Sequence, residues 1–501
     1  MPLLGLAFMG AAGIFFSLAN PLVRFPALIL LFPFCLARLA LDTEKPRLAL
    51  KLGYFCGVLA ASVSLYWIAL PVHDYGDLPW ALAVPCPVAM GLYLGLYPAI
   101  WCWLLAMTRK SMSPVAWGAF AGLTWVVLEF VRGWLFTGFP WQTLAVALVP
   151  WPWAIQSLGL IGAYGLSGVL AACGAWLALP KAGPKAVALG LLACLAAYGF
   201  WAVNRAVPDA DEFTAGLVQG DVDQSVKWDK SYQAETVNGY LELSQRTLAD
   251  KPDIIFWPET AMPLNLEKPS DLVSRIMAFV GRNDVPLVTG GPGLVWDQGR
   301  ELVYNRAFLL TPGMLTPAYD KEHLVPFGEY APFGQDVPIL EGLLQGVGAF
   351  TPGTMVSPVR TGRLAMGMLI CYESIFPELA QKRVQAGANV LINLSNDAWF
   401  GRSAAPRQHL ELAALRAVEQ GRYLVRCTNT GISAVIDPKG RVTNQTPLFQ
   451  EAALTVSHVG LIAKTTVYHA LHPWLEGLCA LGAAAIFFLT WRKNKGIRKA
   501  E

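Results

Sequence analysis

Long apolar runs separated by brief polar turns fill the first 205 residues and the last 30, and the middle of the chain is patterned differently. A membrane-crossing helix needs about 20 mostly apolar residues. Stretches of that kind run near 3–19, 22–41, 52–71, 81–107, 114–135, 154–180, 186–204 and 472–491. Between the first two, Asn20, Pro21 and Arg24 leave room only for a tight turn. The predicted organisation is a membrane domain of seven spans over 1–204, a soluble domain over 205–471, an eighth span over 472–491 and a basic tail over 492–501.

Residues 205–471 carry short apolar runs of strand character: TAGLVQG, DIIFWPE, VPLVTGG, RAFLLTP, LAMGMLIC, NVLINLS, YLVRCTN and SAVIDPKG. Helical periodicity lies between several of them, at 234–249, 271–282 and 406–420, and Pro377 suits the first turn of the helix PELAQKRVQAG. Runs and helices in alternation predict an α/β domain whose sheets are covered by helices. About 265 residues suffice for a full core. No internal repeat or low-complexity segment interrupts the pattern.

Composition agrees with a chain that faces lipid over much of its surface. It is 54% hydrophobic and 15% charged, with mean hydropathy +0.43, where soluble domains carry about 25% charged residues. A net charge of +3 gives no reason to expect a nucleic-acid partner. Lysine and arginine collect at Lys45, Arg47 and Lys51, at Arg109 and Lys110, at Lys181 and Lys185, and in the tail WRKNKGIRKAE, whereas alternate loops such as VHDYGDLPW are nearly free of them. By the positive-inside rule both termini are cytoplasmic, and 205–471 lies on the opposite face. A cleaved signal peptide is not expected, because no basic stretch precedes the first apolar run. Tyr66, Trp67, Trp80, Trp101, Trp103, Trp134, Trp141, Trp151 and Trp153 are expected as interfacial anchors, and the cluster from Trp134 to Trp153 could also border a lipid entry path.

Of nine cysteines, Cys35, Cys56, Cys86, Cys102, Cys173, Cys194 and Cys479 lie in apolar stretches and read as small hydrophobes. Their spacing suggests no metal site. Cys371 and Cys427 lie in more polar sequence. Glu259 ends DIIFWPE, Lys321 follows a short run in AYDKEHLVPFGEYAP, and Cys371 ends LAMGMLIC. Taken singly, these are a helix-start carboxylate, a surface lysine and a core thiol. If their runs are neighbouring strands, the three converge at one rim, where α/β folds place their sites. A carboxylate could then take the thiol proton while an ammonium stabilises thiolate and oxyanion. Cys427 is expected to pack in a strand, and His323 to be structural rather than a base.

PET around Glu259, Lys321 in YDKEHLVPFGE and Cys371 in ICYE together resemble the Glu-Lys-Cys triad of the nitrilase superfamily. EFVRGWLFTGFPW, QGDVDQSVKW, LVPFGEYAP, NLSNDAWFG and RAVEQGRYLVRCTNTGIS, in this order along the chain and with the membrane spans around them, are similar to its membrane-bound branch, the apolipoprotein N-acyltransferase family. That resemblance implies a four-layer α-β-β-α sandwich carried on eight membrane helices, with no cofactor. It implies Cys371 as nucleophile, Glu259 as general base and Lys321 as electrostatic stabiliser, with the Tyr372 backbone N–H in the oxyanion hole. Glu329 would orient Lys321 or Glu259, and Glu373 and Trp228 would serve loop placement and acyl or lipid contact.

The implied reaction takes an acyl chain from a membrane phospholipid onto Cys371 as a thioester. It then passes the chain to the α-amine of a diacylated apolipoprotein, at the periplasmic side of the inner membrane. A membrane-tethered carbon–nitrogen hydrolase with water as acceptor would use the same triad. The apolar segment ILEGLLQGVGAF at 339–350 favours lipid contact. A transporter would place more ionisable groups within its spans than Glu129 and Arg132.

Overall fold

A computed structural model describes residues 3–207, 211–224, 227–330 and 350–500. Of the expected lipid-contacting loop 339–350, only Phe350 falls within this range. The chain divides into two compact units, residues 1–206 with 403–411 and 466–501, and residues 207–402 with 412–465.

The first unit is helical. By length and composition, six of its described helices could cross a membrane: Pro46–Ser64, Trp80–Thr108, Pro114–Thr137, Leu158–Ala178, Ala182–Val203 and Val467–Arg492. The first two expected spans fall short of that length. Helix Leu3–Ile14 runs into a wider π turn, Phe15–Ala19, and the next α-helix, Leu31–Asp42, starts only after a 3-10 turn at Pro26–Leu30. Asn20 and Arg24 set this break. The Asn20 side-chain oxygen accepts from the N–H groups of Leu22 and Val23, and Arg24 donates to the Ser17 carbonyl and pairs with Glu411. The helix expected over 52–71 ends at Ser64, where the chain tightens into a 3-10 turn at Tyr66–Ile68.

Residues 403–411 pack with this unit, although the sequence assigns them to the soluble domain. Their anchor is Gln408, whose Oε1 accepts from Trp67 Nε1 at 3.1 Å and Trp141 Nε1 at 2.8 Å. Its amide donates to the Leu18 and Ser64 carbonyls. With their indole N–H groups satisfied internally, Trp67 and Trp141 are buried rather than interfacial. Trp101 is likewise buried, donating to the Ala121 carbonyl at 2.8 Å.

The second unit contains β1 (Asp211–Gln219), β2 (Ile254–Phe256), β3 (Leu287–Asp297), β4 (Arg300–Thr311), β5 (Met314–Asp320), β6 (Val359–Thr361), β7 (Leu364–Ile370), β8 (Val390–Ser395), β9 (Leu424–Thr428), β10 (Ala434–Ile436), β11 (Val442–Gln445) and β12 (Ala452–Leu461). They form two six-stranded sheets, ordered β12-β1-β2-β3-β4-β5 and β11-β10-β9-β8-β7-β6. Neighbours are parallel from β1 to β3 and from β7 to β9, and antiparallel elsewhere. Alternation along each strand divides the side chains between faces. Ala215, Leu217, Ile254 and Phe256 of one sheet share an inner core with Leu364, Met366, Met368, Ile370, Ile392 and Leu394 of the other. Val218, Ile255 and Trp257 face outward onto helices Gln233–Thr247 and Asp271–Asn283. Helix Pro377–Gln385 covers β7, where Gly367 lets it approach: a Cβ there would meet the Arg383 and Ala388 Cβ atoms at 2.9 Å. Helix Ala405–Gln420 bonds beside it through Gln420 to Gln381 and Arg416 to the Ile375 carbonyl. The layers are α-β-β-α.

β5, β6, β11 and β12 escape the sequence pattern. β6 and β11 have three and four residues, and Pro317 lies inside β5.

Candidate active site

Each of the three candidate residues follows a strand end, and each is held by a turn that its sequence explains. Glu259 lies just past β2, in a turn closed by Gly290 N–H donating to the Pro258 carbonyl at 3.1 Å. Gly290 is required there, because a Cβ would stand 2.4 Å from Thr260 N and 2.8 Å from Glu259 Cα. The next residue, Thr260, is left-handed at φ +46°. Lys321 follows β5 and is tied on both sides, its N–H to the Asn305 carbonyl and its carbonyl to Gly353 N–H. Cys371 follows β7 and begins the 3-10 turn Cys371–Ile375.

Cys371 is itself left-handed, at φ +51°, a conformation costing a non-glycine residue about 1–2 kcal/mol. Its neighbours hold it there. Glu373 Oε2 accepts from Ile370 N–H at 2.6 Å, the Ser374 hydroxyl donates to the Cys371 carbonyl at 3.0 Å, and the Ser395 hydroxyl bonds the thiol. The other Glu373 oxygen accepts from the Tyr319 hydroxyl and from the N–H groups of Glu322 and His323. One buried carboxylate thus ties the turn bearing the thiol to the loop bearing Lys321.

Lys321 is fully buried, and its Nζ lies 2.9 Å from Glu329 Oε1 and 3.4 Å from Glu259 Oε1. Asn305 on β4 bridges the two carboxylates, donating to each at 2.8 Å. Glu329 is fixed in turn by Val325 N–H on its Oε2 at 2.8 Å. Burial alone would lower the Lys321 ammonium, but Glu329 and Glu259 outweigh it and hold the group firmly protonated. Burial, and next to it the Glu259 charge, pushes the Cys371 thiol up; Lys321 opposes this. The resting site is therefore a thiol beside a carboxylate, with a permanent ammonium within electrostatic reach.

The remaining candidates are placed as follows. Tyr372 is buried in the 3-10 turn with its ring against Phe376, and Trp228 is half exposed on the turn at 227–228. His323 packs 4.1 Å from the Phe376 ring, and burial holds it down to about 4, so it is neutral near pH 7. Cys427 sits between the sheets near the Val218 and Phe256 carbonyls. Sequence reasoning did not single out Asn305, Ser395 or Lys227. Asn305 and Ser395 are ordinary polar residues within strands, with no local signal. Lys227 stands beside Trp228 in QGDVDQSVKW, and its place as the one basic residue of that motif was a usable signal. Among the described residues, no group of three or more His, Cys, Asp or Glu side chains could hold a metal.

Comparison with known proteins bears on both parts of the chain. Residues 214–463 match the carbon-nitrogen hydrolase family, and residues 12–176 match the family described as apolipoprotein N-acyltransferase N-terminal domain. A Geobacter metallireducens protein named apolipoprotein N-acyltransferase is 38% identical, over 91% of this chain and 89% of its own. Proteins of the same name from Azotobacter vinelandii and Nitrosomonas europaea are 34% and 33% identical. They cover 98% and 90% of this chain, and 95% and 89% of their own lengths.

Proposed function

The chain belongs to the apolipoprotein N-acyltransferase family, with a carbon–nitrogen hydrolase fold in its second unit, and from that premise we propose how its residues carry acyl transfer. Cys371 attacks the acyl ester carbon of a membrane phospholipid while Glu259 takes the thiol proton. The glycerol oxygen leaves with that proton as a lysophospholipid, and a thioester remains on Cys371. The neutral α-amine of a diacylglyceryl-cysteine at an apolipoprotein N-terminus then attacks the thioester. Its proton passes through Glu259 to the departing thiolate, giving the amide of a triacylated lipoprotein and the free enzyme. Lys321 and the Tyr372 backbone N–H stabilise the oxyanion in both half-reactions. Glu329 orients Lys321, Glu373 holds the two loops together, and Trp228 offers an aromatic face to acyl chain or lipid.

The observation carrying this reading is the convergence of Glu259, Lys321 and a left-handed Cys371 from three separate strand ends. In this reading the first unit is the inner-membrane domain and the second faces the periplasm, as the lysine and arginine distribution supports. A reporter active only outside the cytoplasm should be active when fused after residue 300 and silent at the C-terminus; the reverse pattern rejects this orientation.

The decisive experiment omits the acceptor. Phospholipid alone should place one acyl chain on the peptide containing Cys371, seen by mass spectrometry and released by neutral hydroxylamine. A diacylated lipopeptide should discharge it as N-acyl product. Cys371→Ala should abolish both steps, and Cys427→Ala should leave both largely intact. Transfer without an acyl chain on Cys371 rejects the covalent route. A thioester that water discharges as fast as lipopeptide does makes the enzyme a hydrolase.

A further inference from the structure

The site described so far carries more negative than positive charge. Glu259 and Glu329 share the one Lys321 ammonium, and reaction moves negative charge from Glu259 to sulfur and then to the oxyanion. A second lysine, Lys227, lies on the far side of the Glu259 turn and is 1% exposed. Its Nζ donates to the Thr260 hydroxyl at 2.7 Å and reaches the Glu259 backbone carbonyl at 3.5 Å. Among the described contacts no carboxylate lies within ion-pair distance of it. Burying an ammonium without a carboxylate in contact is strongly unfavourable, and a neutral donor could hold the Thr260 hydroxyl without that cost. The charged groups facing Lys227 are Glu259, on the turn after β2, and Cys371, on the turn after β7. Lys321 pairs with the Glu259 carboxylate, Asn305 bridges that carboxylate to Glu329, and the Lys227 N–H donates to the Asp223 carbonyl at 3.1 Å.

We propose that Lys227 is the second cation of the reaction centre: it holds Glu259 in place through Thr260 and the Glu259 carbonyl, and its charge stabilises the Cys371 thiolate and the oxyanion that follows. It is a positioning residue, acting through the Glu259 turn and through space. The left-handed Thr260 makes the first role specific, because that strained turn aims the Glu259 side chain and needs an external tie at residue 260. The second role follows from charge. With Lys227 protonated, the two carboxylates and two ammonium groups balance, so the negative charge that moves from Glu259 to sulfur stays compensated. Burial lowers the Lys227 ammonium to about 8, with Glu259 and Cys371 partly opposing. The group is thus charged below about pH 8 and loses its charge above.

The proposal rests on Cys371 being the nucleophile, and the test separates the two. Full-length protein in phospholipid micelles is incubated without acceptor, and the rate of acyl addition to Cys371 is followed by mass spectrometry from pH 6 to 10. In parallel, iodoacetamide alkylation of Cys371 is followed over the same range, a readout needing no lipid chemistry. Absence of acyl addition in the unsubstituted enzyme defeats the proposed function and leaves the alkylation arm to judge Lys227. With Lys227→Met, acylation should fall roughly tenfold to a hundredfold, less than the ~10²–10³ lost with a direct oxyanion donor. The pH at which Cys371 alkylates half-maximally should rise. Rate lost above pH 8 in the unsubstituted enzyme should not be lost in Lys227→Arg, whose charge does not titrate in this range. Thermal unfolding confirms that each variant is folded. Unchanged acylation and an unchanged alkylation profile in Lys227→Met overturn the proposal. Equal losses in the Met and Arg variants with no shift in either pH profile also overturn it, because they describe a purely structural tie.

Discussion

Buried charges occur in both units of this protein, and they are built differently. In the helical unit, Glu129 and Arg132 stand one turn apart on helix Pro114–Trp134, with 3.7 Å between Oε1 and the guanidinium. Trp125 Nε1 and Leu144 N–H donate to the same Glu129 oxygen, and Arg132 donates to the Gln142 carbonyl. One anion meets one cation, and the spare bonds go to an indole and to main chain. In the α/β unit, Lys321 meets two carboxylates that Asn305 holds together, beside a thiol. The balanced pair neutralises its own charge and ties its helix to the chain at Gln142 and Leu144. The cluster fixes one ammonium between two carboxylates, at the place where the proposed reaction moves negative charge from Glu259 to sulfur. The arrangement of partners, rather than burial, separates a structural pair from a reactive one.

The sharpest way to break this contrast is to remove the cation from the unbalanced cluster. Lys321→Ala should leave the protein folded and membrane-inserted while acylation of Cys371 falls at least ~10²–10³-fold. Lys321→Arg should not restore it, because a planar fork cannot replace a compact ammonium between two carboxylates. Near-normal acyl transfer by either variant would remove Lys321 from the mechanism.

The same operation on the balanced pair should cost stability instead. Glu129→Leu leaves the Arg132 charge buried without its counter-ion, and a loss of about 3–5 kcal/mol is expected. The double variant Glu129→Leu with Arg132→Met should recover most of it, read as the unfolding midpoint in detergent. The folded fraction should acylate at the normal rate. A double variant as unstable as the single would mean that the pair does more than neutralise itself.

His323 provides the smallest and most local comparison, a buried titratable ring near the cluster that we read as structural. Its proton is disfavoured in the fold, with burial holding it down to about 4 against an ordinary 6.5. Between those values the unfolded chain binds a proton that the folded chain does not. Stability from this group is therefore complete above pH 6.5 and is lost as pH falls through 4. His323→Phe should flatten the decline in unfolding midpoint between pH 6.5 and 4, with little effect on Cys371 acylation at pH 7. Loss of acylation comparable to that of Lys321→Ala would make the ring part of the chemistry.

Much of this was legible along the chain, for identifiable reasons. The short apolar runs LAMGMLIC and NVLINLS became β7 and β8, which are buried along their whole length, with alternate residues of each entering one inter-sheet core. Helix Asp271–Asn283 starts where Ser270 caps it, its hydroxyl accepting from Val273 N–H. Pro377 opens its helix at the position that needs no N–H. Over the expected span 22–41 the α-helix starts only at Leu31, because hydropathy does not register that Asn20 and Arg24 have side-chain partners that tighten the chain. Residues 403–411 were assigned to the wrong unit for a similar reason. Gln408 is polar in sequence, yet two indoles and two carbonyls satisfy it within the helical unit.

By itself the sequence determined which segments are apolar enough for membrane helices, which runs become strands, and which residue types stand at three strand ends. These are local properties, set by periodicity, capping and turn chemistry within about a dozen residues. Tertiary structure alone decided that Asn305 joins Glu259 to Glu329, that Glu373 ties the thiol's turn to the lysine's loop, and that Lys227 is buried behind Glu259. Apart from the local bond between Glu373 and Ile370, those contacts join residues that lie from 24 to 50 positions apart in the chain. The charge a buried group carries depends on the partners that long-range packing brings within a few ångströms, and no local pattern records who those partners are.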